Sequence, residues 1–336
     1  MTHELIHIIQ SALMNQRLGL KSVLATVVHL EGSSYRKPGV RMLICENGNR
    51  IGAVSGGCVE NEIERRAQSV LETGKPKIMV YDGRYRLGCE GILHILLEPF
   101  QVSELLVEKF DLFLKQRIAY EIESYYKLGD DLTGGFGSVL ICNGEKFSFS
   151  ENFKFEKITD AQIFKQTLSP QFRLIIIGGE HDAVKLCQMA NLLGWEVDVM
   201  TSLKDPKNLD DFPGAKTVSA VDPSLMEIKI DSDTAIMLMT HNYALDLKYL
   251  VRLHDQNPKY LGIIGSSKRR ERLKNDLIDY TDGINLEFLE NIYSPAGLNI
   301  GAINAEEIAL SILSEMMSVF REKQVTSLRD LKKRLD

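Results

Sequence analysis

The feature that most constrains this chain is a change of rhythm at Arg173. From there on, short apolar runs alternate with stretches whose apolar residues recur at helical spacing. Leu174–Ile177 is a continuous aliphatic run. Such a run suits a parallel strand covered on both faces, because neither set of alternating side chains then meets water. A helix follows with Ala183, Leu186, Cys187, Ala190 and Leu193 on one side and Gly194 as its stop. Further strands are expected at Glu196–Met200, Lys216–Ala220, Thr234–Met239 and Tyr260–Ile264, and a long helix over Asn304–Phe320. This alternation predicts a doubly wound parallel sheet, so residues 171–320 are read as a Rossmann-like domain. A charged tail occupies 321–336.

The first part reads differently. Leu5, Ile6, Ile9, Ala12 and Leu13 mark an amphipathic helix within residues 4–17, and the Val-rich Ser22–Leu30 is a strand. Val40–Cys45 and Ile51–Val54 predict a hairpin. Val59, Ile63, Ala67 and Val70 then mark a helix ending at Gly74. Ile78–Tyr81 and Ile92–Glu98 are further strands. Residues 1–102 are therefore expected to form a small mixed α/β domain, and the whole chain an α/β protein. Residues 103–170 form a connecting region with a helix at Leu105–Leu114 and a hairpin around Asn143-Gly144. The sequence leaves open whether it packs on the first domain or leads across to the second.

Composition excludes several classes of function. A length of 336 residues suggests two domains, and a net charge of -6 argues against a nucleic-acid partner, which needs clustered Lys and Arg. No run approaches the ~18 apolar residues of a membrane span, and Met1–His7 lacks the basic region of a signal peptide, so a cytoplasmic protein is expected. The five cysteines form no C-x-x-C pair, which argues against a structural zinc site.

Three glycine-bearing segments in the first domain could carry chemistry. Gly32-Ser33-Ser34-Tyr35-Arg36-Lys37-Pro38-Gly39 combines small hydroxyl residues with two cations, a composition suited to an anion, although a solvated surface turn has the same letters. Ser55-Gly56-Gly57-Cys58-Val59-Glu60 ends a strand and opens a helix, where the dipole favours a thiolate at Cys58. A thiolate there can be a nucleophile or a soft-metal ligand; the alternative is a small core residue. Glu60 either joins the site or only complements the helix dipole. Leu87-Gly88-Cys89-Glu90-Gly91 is a third close-approach loop or a plain turn.

In the second domain, Gly178-Gly179-Glu180-His181-Asp182-Ala183 departs from the dinucleotide fingerprint G-x-G-x-x-G/A by placing Glu180 at the second glycine. The acid that would hold a ribose after the second strand is replaced by Thr201. NAD(P) is therefore not expected as a cofactor. His181, His241 in Met239-Thr240-His241-Asn242, and Ser266 in Gly265-Ser266-Ser267 fall at strand ends where such sheets bind ligands. His241 reads as an acid/base or ligand anchor or equally as a helix-capping or hydrogen-bonded histidine, and Gly265-Ser266-Ser267, with three cations after it, as a second anion site. His94, inside a strand, reads as structural.

These segments, together with Gly262–Ser266, Ser294-Pro295-Ala296-Gly297-Leu298-Asn299-Ile300-Gly301 and Glu306–Leu313, resemble the xanthine dehydrogenase accessory factor (XdhC/CoxI) family. The resemblance implies a protein that binds molybdenum cofactor (molybdopterin), assists its sulfuration, and inserts it into an apo molybdenum hydroxylase of the xanthine dehydrogenase type. A cysteine desulfurase and a second copy of the chain, as a homodimer, are further implied partners. Carried over by position, Cys58 would approach the metal, and Ser33, Arg36 and Lys37 the anionic groups. The wider cofactor-binding set is Ser33, Ser34, Arg36, Lys37, Ser55, Gly56, Gly57, Cys58, Glu60, Cys89, His181, His241 and Ser266. The expectation is a maturation factor without turnover of its own. An NAD(P)-dependent oxidoreductase is the alternative that the Rossmann pattern invites, and an interaction scaffold without ligand is a third.

Overall fold

The computed structural model describes the chain except residues 33–36, 56, 86–90, 156–157, 159, 282, 284 and 331–336 and the side chains of Cys58 and Tyr85. It divides into two compact units, Met1–Pro170 and Gln171–Asp336.

The first unit opens with α1 (Thr2–Arg17), β1 (Ser22–Glu31), β2 (Arg41–Cys45), β3 (Arg50–Gly52), α2 (Cys58–Thr73), β4 (Lys77–Asp82) and β5 (Ile92–Pro99). It continues with α3 (Glu104–Gln116), β6 (Tyr120–Tyr126), β7 (Leu132–Thr133), β8 (Gly137–Cys142), β9 (Glu145–Ser148) and β10 (Gln162–Leu168). Two antiparallel sheets result, ordered β3-β2-β1-β5-β4-β7 and β10-β6-β8-β9. The period-2 alternation of β1 sends Val23, Ala25 and Val27 toward Val59, Ile63, Ala67 and Val70 of α2. Leu24 instead joins Leu5, Ile8, Ile9 and Ala12 of α1. Each of these Val, Leu and Ile side chains, removed from water, contributes about 1.5–3 kcal/mol. The β2–β3 hairpin is shorter than its apolar letters suggest. Pairing stops at Gly52, whose φ of +82° and 2.7 Å Cβ approach to the Arg41 carbonyl exclude a side chain.

Residues 103–170 belong to this unit. Leu106, Phe110 and Phe113 of α3 share one core with α1 and with Tyr120, Ile122 and Leu140 of the second sheet. A polar tie joins the two sheets, because the buried Glu98 carboxylate of β5 accepts from the Ser138 N–H at 2.7 Å and its hydroxyl at 2.6 Å. Burial pushes the Glu98 carboxyl up to about 7 despite those bonds. Strands β6 and β10 carry little period-2 signal. β6 buries Glu123, held by Lys146 at 3.0 Å and Lys165 at 2.6 Å, while β10 is largely exposed.

The second unit contains β11 (Arg173–Ile177), α4 (His181–Leu192), β12 (Glu196–Thr201), β13 (Thr217–Ala220), β14 (Thr234–Leu238) and α5 (Tyr243–Leu253). After these come β15 (Tyr260–Ile263), α6 (Ser267–Tyr280), α7 (Leu286–Glu290), β16 (Ile292–Tyr293) and α8 (Ala305–Phe320). The sheet order β13-β12-β11-β14-β15-β16 is the doubly wound Rossmann order, and every pairing is parallel. Leu174 and Ile176 face the core formed with α4 and α8, and Ile175 and Ile177 the core formed with α5, α6 and α7. The buried-on-both-faces reading of this run therefore holds. Beyond α8 the described part of the tail, residues 321–330, is exposed.

Candidate functional site

Antiparallel register gathers the three glycine-bearing loops of the first unit. Glu31, the last residue of β1, pairs with Ile92 at the start of β5, and Ile92 pairs with Asp82 at the end of β4. Thr26 of β1 pairs with Arg41, where β2 begins, and Met42 pairs with Gly52, where β3 ends. The ends of β1, β3 and β4 and the starts of β2 and β5, which flank segments 32–40, 53–57 and 83–91, thus lie at the same end of one sheet, and segment 53–57 leads from there into α2. The first is closed at its root by Gly39 N–H donating to the Val27 carbonyl at 2.8 Å and Val27 N–H to Val40 at 3.0 Å. Lys37, near the end of that loop, is exposed.

The second loop is built around Glu60. One carboxylate oxygen accepts from the Val54 N–H at 3.0 Å and from the Ser55 N–H; the other accepts from the Gly57 N–H at 2.7 Å and the Ser55 hydroxyl at 3.1 Å. Glu60 is 7% exposed. Burial works to raise its carboxyl, but the bonds from Ser55 and Gly57 outweigh burial and hold it below the usual glutamate value of 4.5. Ser55 and Gly57 therefore direct these donors to the Glu60 carboxylate. Gly57 takes a φ of +132° just ahead of α2, whose first residue is Cys58. Ser33, Ser34, Arg36, Gly56 and Cys89 lie outside the described residues, as does the Cys58 side chain.

The second unit has its topological switch point between β11 and β14. Gly178 sits at φ +153°, and a Cβ there would lie 2.4 Å from the Met239 carbonyl, so the tight-turn glycine keeps its task. Ala183 is fully buried and keeps the close helix–strand contact. Glu180 is the exposed N-cap residue of α4 and makes no side-chain cap bond, which places a carboxylate where a pyrophosphate would approach. Thr201 is buried and accepts from the Lys207 N–H at 3.3 Å. His241 takes a φ of +53°, and its Nε2 lies 3.8 Å from Asp182 of α4. His181 is exposed beside Glu306 of α8.

The segment after β15 is occupied by its own structure. The Ser266 hydroxyl caps α6, accepting from the Arg269 N–H at 3.4 Å. Arg269 binds Asp246 at 2.6 Å, and Arg270 donates to the Ser294 carbonyl at 2.9 Å. The loop after β16 is similarly tied down, with Glu315 accepting from the Gly297 N–H at 2.8 Å and the Tyr260 hydroxyl at 2.6 Å.

Comparison with known proteins agrees with this architecture. Residues 174–316 match the XdhC Rossmann domain, and residues 16–82 match the XdhC and CoxI family. The chain is 30% identical to a probable xanthine dehydrogenase subunit of Bacillus subtilis (strain 168), over 88% of this chain and 92% of that protein. The chain belongs to the XdhC and CoxI family. A further relative, the molybdenum cofactor insertion chaperone PaoD of Escherichia coli (strain K12), is 25% identical over 90% of this chain and 84% of its own. A crystal structure described as a xanthine dehydrogenase from Bacillus halodurans superposes with a TM-score of 0.75 at 28% identity, covering 95% of this chain and 98% of that one. The expected fold class and family are thereby established for this XdhC/CoxI member. Among the described residues, no helix is long and apolar enough to cross a membrane.

The sequence did not signal one grouping at the loop-bearing end of the first sheet. His29 and Glu31 of β1 stand beside His94 of β5, although Glu31 and His94 are 63 positions apart in the chain. Only the strand register brings them together.

Proposed function

We propose that this protein is a maturation factor that binds molybdenum cofactor and hands it to an apo molybdenum hydroxylase of the xanthine dehydrogenase type. The observation that carries the reading is that the three glycine-bearing segments are all rooted at one sheet end, one of them opening the 16-residue helix α2 at Cys58. The chemistry of the cofactor supports it. A phosphate-bearing pterin needs backbone donors and cations, and a dithiolene-bound metal accepts a soft thiolate. Cys58 is assigned to the metal side, favoured by the helix dipole. Ser33, Arg36 and Lys37 are assigned to the anionic groups. The bound cofactor supplies the molybdenum centre that the client enzyme uses. PaoD, a relative along 84% of its length, is named for cofactor insertion, which supports the delivery role.

The same reading includes assistance in sulfuration, with a cysteine desulfurase as sulfur source, and a cytoplasmic homodimer as the working form. Its test is direct. Protein purified from a molybdenum-replete host is expected to carry molybdenum and a fluorescent pterin in equal amounts. Cys58→Ala should retain at least about tenfold less of both at an unchanged melting temperature. Absence of pterin from the wild type ends the proposal; equal retention by the variant removes Cys58 from the metal.

A further inference from the structure

We propose that His29, Glu31 and His94 form a site for one divalent transition-metal ion of the zinc, cobalt or nickel class, held without a cysteine ligand. The strand pairing builds it. Val27 pairs with Ile95 and the next paired residue, His29, faces His94, so Val28 is an extra residue in β1. Such a bulge turns the strand and re-aims the side chain that follows. The two imidazoles meet edge to face with centroids 5.2 Å apart. Glu31, two residues further along β1, brings its Oε1 to 2.9 Å from His94 Nε2. One ligand atom from each of the three residues lies within 4.8 Å of the other two.

Geometry and donor type both suit such an ion. At metal–ligand bonds of about 2.0–2.2 Å, neighbouring ligand atoms in a tetrahedral site stand about 3.3 Å apart. The present group, with His94 Nε2 and Glu31 Oε1 2.9 Å apart and all three ligand atoms within 4.8 Å, brackets that spacing. Two imidazoles and one carboxylate favour zinc, cobalt or nickel over calcium or magnesium, which prefer oxygen alone. The Glu31 side chain is 50% exposed, so an ion has a path in and water can complete its coordination.

His94 supplies the second observation. The residue is 5% exposed, and its Nδ1 has no hydrogen-bond partner among the described residues. A buried imidazole anchored through a single nitrogen is poorly compensated for its desolvation. A hydrogen bond to Glu31 satisfies one edge of the ring; a shared cation would bind both groups more strongly. Metal-bound imidazoles usually have their other nitrogen held by a neighbour. That support is lacking among the described residues, so micromolar rather than nanomolar affinity is expected. Bound metal would fix the end of β1 from which the Gly32–Gly39 loop departs.

The test uses full-length protein stripped with chelator and titrated with Co²⁺ and Zn²⁺, in the native chain and in a Cys58→Ser/Cys89→Ser variant. One equivalent of metal should bind in both, and the cobalt spectrum should lack thiolate charge-transfer bands. Glu31→Gln and His29→Gln should each weaken binding by at least about tenfold. Melting temperatures of the metal-free variants should match that of the parent. The proposal fails if no metal binds at sub-millimolar concentration, if neither substitution weakens binding, or if removing the two cysteines abolishes it.

Discussion

Arg269 in the first turn of α6 reaches Asp246 in α5, with Nη2 2.6 Å from Oδ2 of a carboxylate that is 1% exposed. The other carboxylate oxygen accepts from the Thr240 hydroxyl, so one acid ties together the loops after β14 and β15. The strand ends that carry His241 and Ser266 are therefore tied to each other through Asp246. Asp246→Ala leaves a partly buried guanidinium without its counter-charge, a change that costs about 3–5 kcal/mol. Denaturant unfolding should show that loss in the second unit. A loss below about 1 kcal/mol would mean that water replaces the carboxylate at no great cost.

Glu60 makes the first unit sensitive to acid. Its carboxyl is depressed in the folded state, so its contribution is fully present above the unfolded value of 4.5. That contribution is lost as pH falls below 4.5 through the folded value. Glu60→Gln should cost about 1–3 kcal/mol at neutral pH, since the amide cannot accept all four bonds as a carboxylate does. The gap between variant and parent should be present at neutral pH and close at an acid pH below the depressed folded value. Melting curves at the two pH values check this, and an equal gap at both would contradict it.

Nicotinamide cofactors should bind weakly despite the Rossmann strand order. The exposed Glu180 carboxylate meets an incoming pyrophosphate, and Thr201 cannot accept both ribose hydroxyls as an acid would. Calorimetry should give a dissociation constant for NADH above about 1 mM. A micromolar value would revive the oxidoreductase alternative. Glu180→Gly should tighten whatever binding exists.

Charge on the first glycine-bearing loop should matter to cofactor retention. Exposed charges away from a site contribute within ~0.5 kcal/mol, whereas a charge-assisted bond to an anion contributes roughly 1.5–3 kcal/mol. Arg36→Ala/Lys37→Ala is expected to weaken cofactor binding by at least about tenfold, less so at high salt, with little change in melting temperature. Unchanged affinity at low salt would make the loop an ordinary turn.

Where burial or capping is local, the amino-acid order alone determined the outcome. Leu174–Ile177 announces a doubly covered strand because all four residues are aliphatic, and the core receives both sets of side chains. Asn242, Ser266 and Asn304 cap their helices through contacts three residues away, within reach of a local pattern. The glycine-bearing segments were legible as loops, since turn chemistry is also local. Long-range pairing decided the rest. The strand β6 hides its role because Glu123 is buried by lysines from two other strands, which no alternation of apolar letters records. Glu60, open in the sequence between a site role and a helix-dipole role, is a local exception, since its four donors come from Val54, Ser55 and Gly57 just before it. The approach of three loops to one sheet end, and of His29 to His94, follows from register between strands far apart in sequence. Register is set by which faces find a core to bury against, and that core exists only in the folded protein.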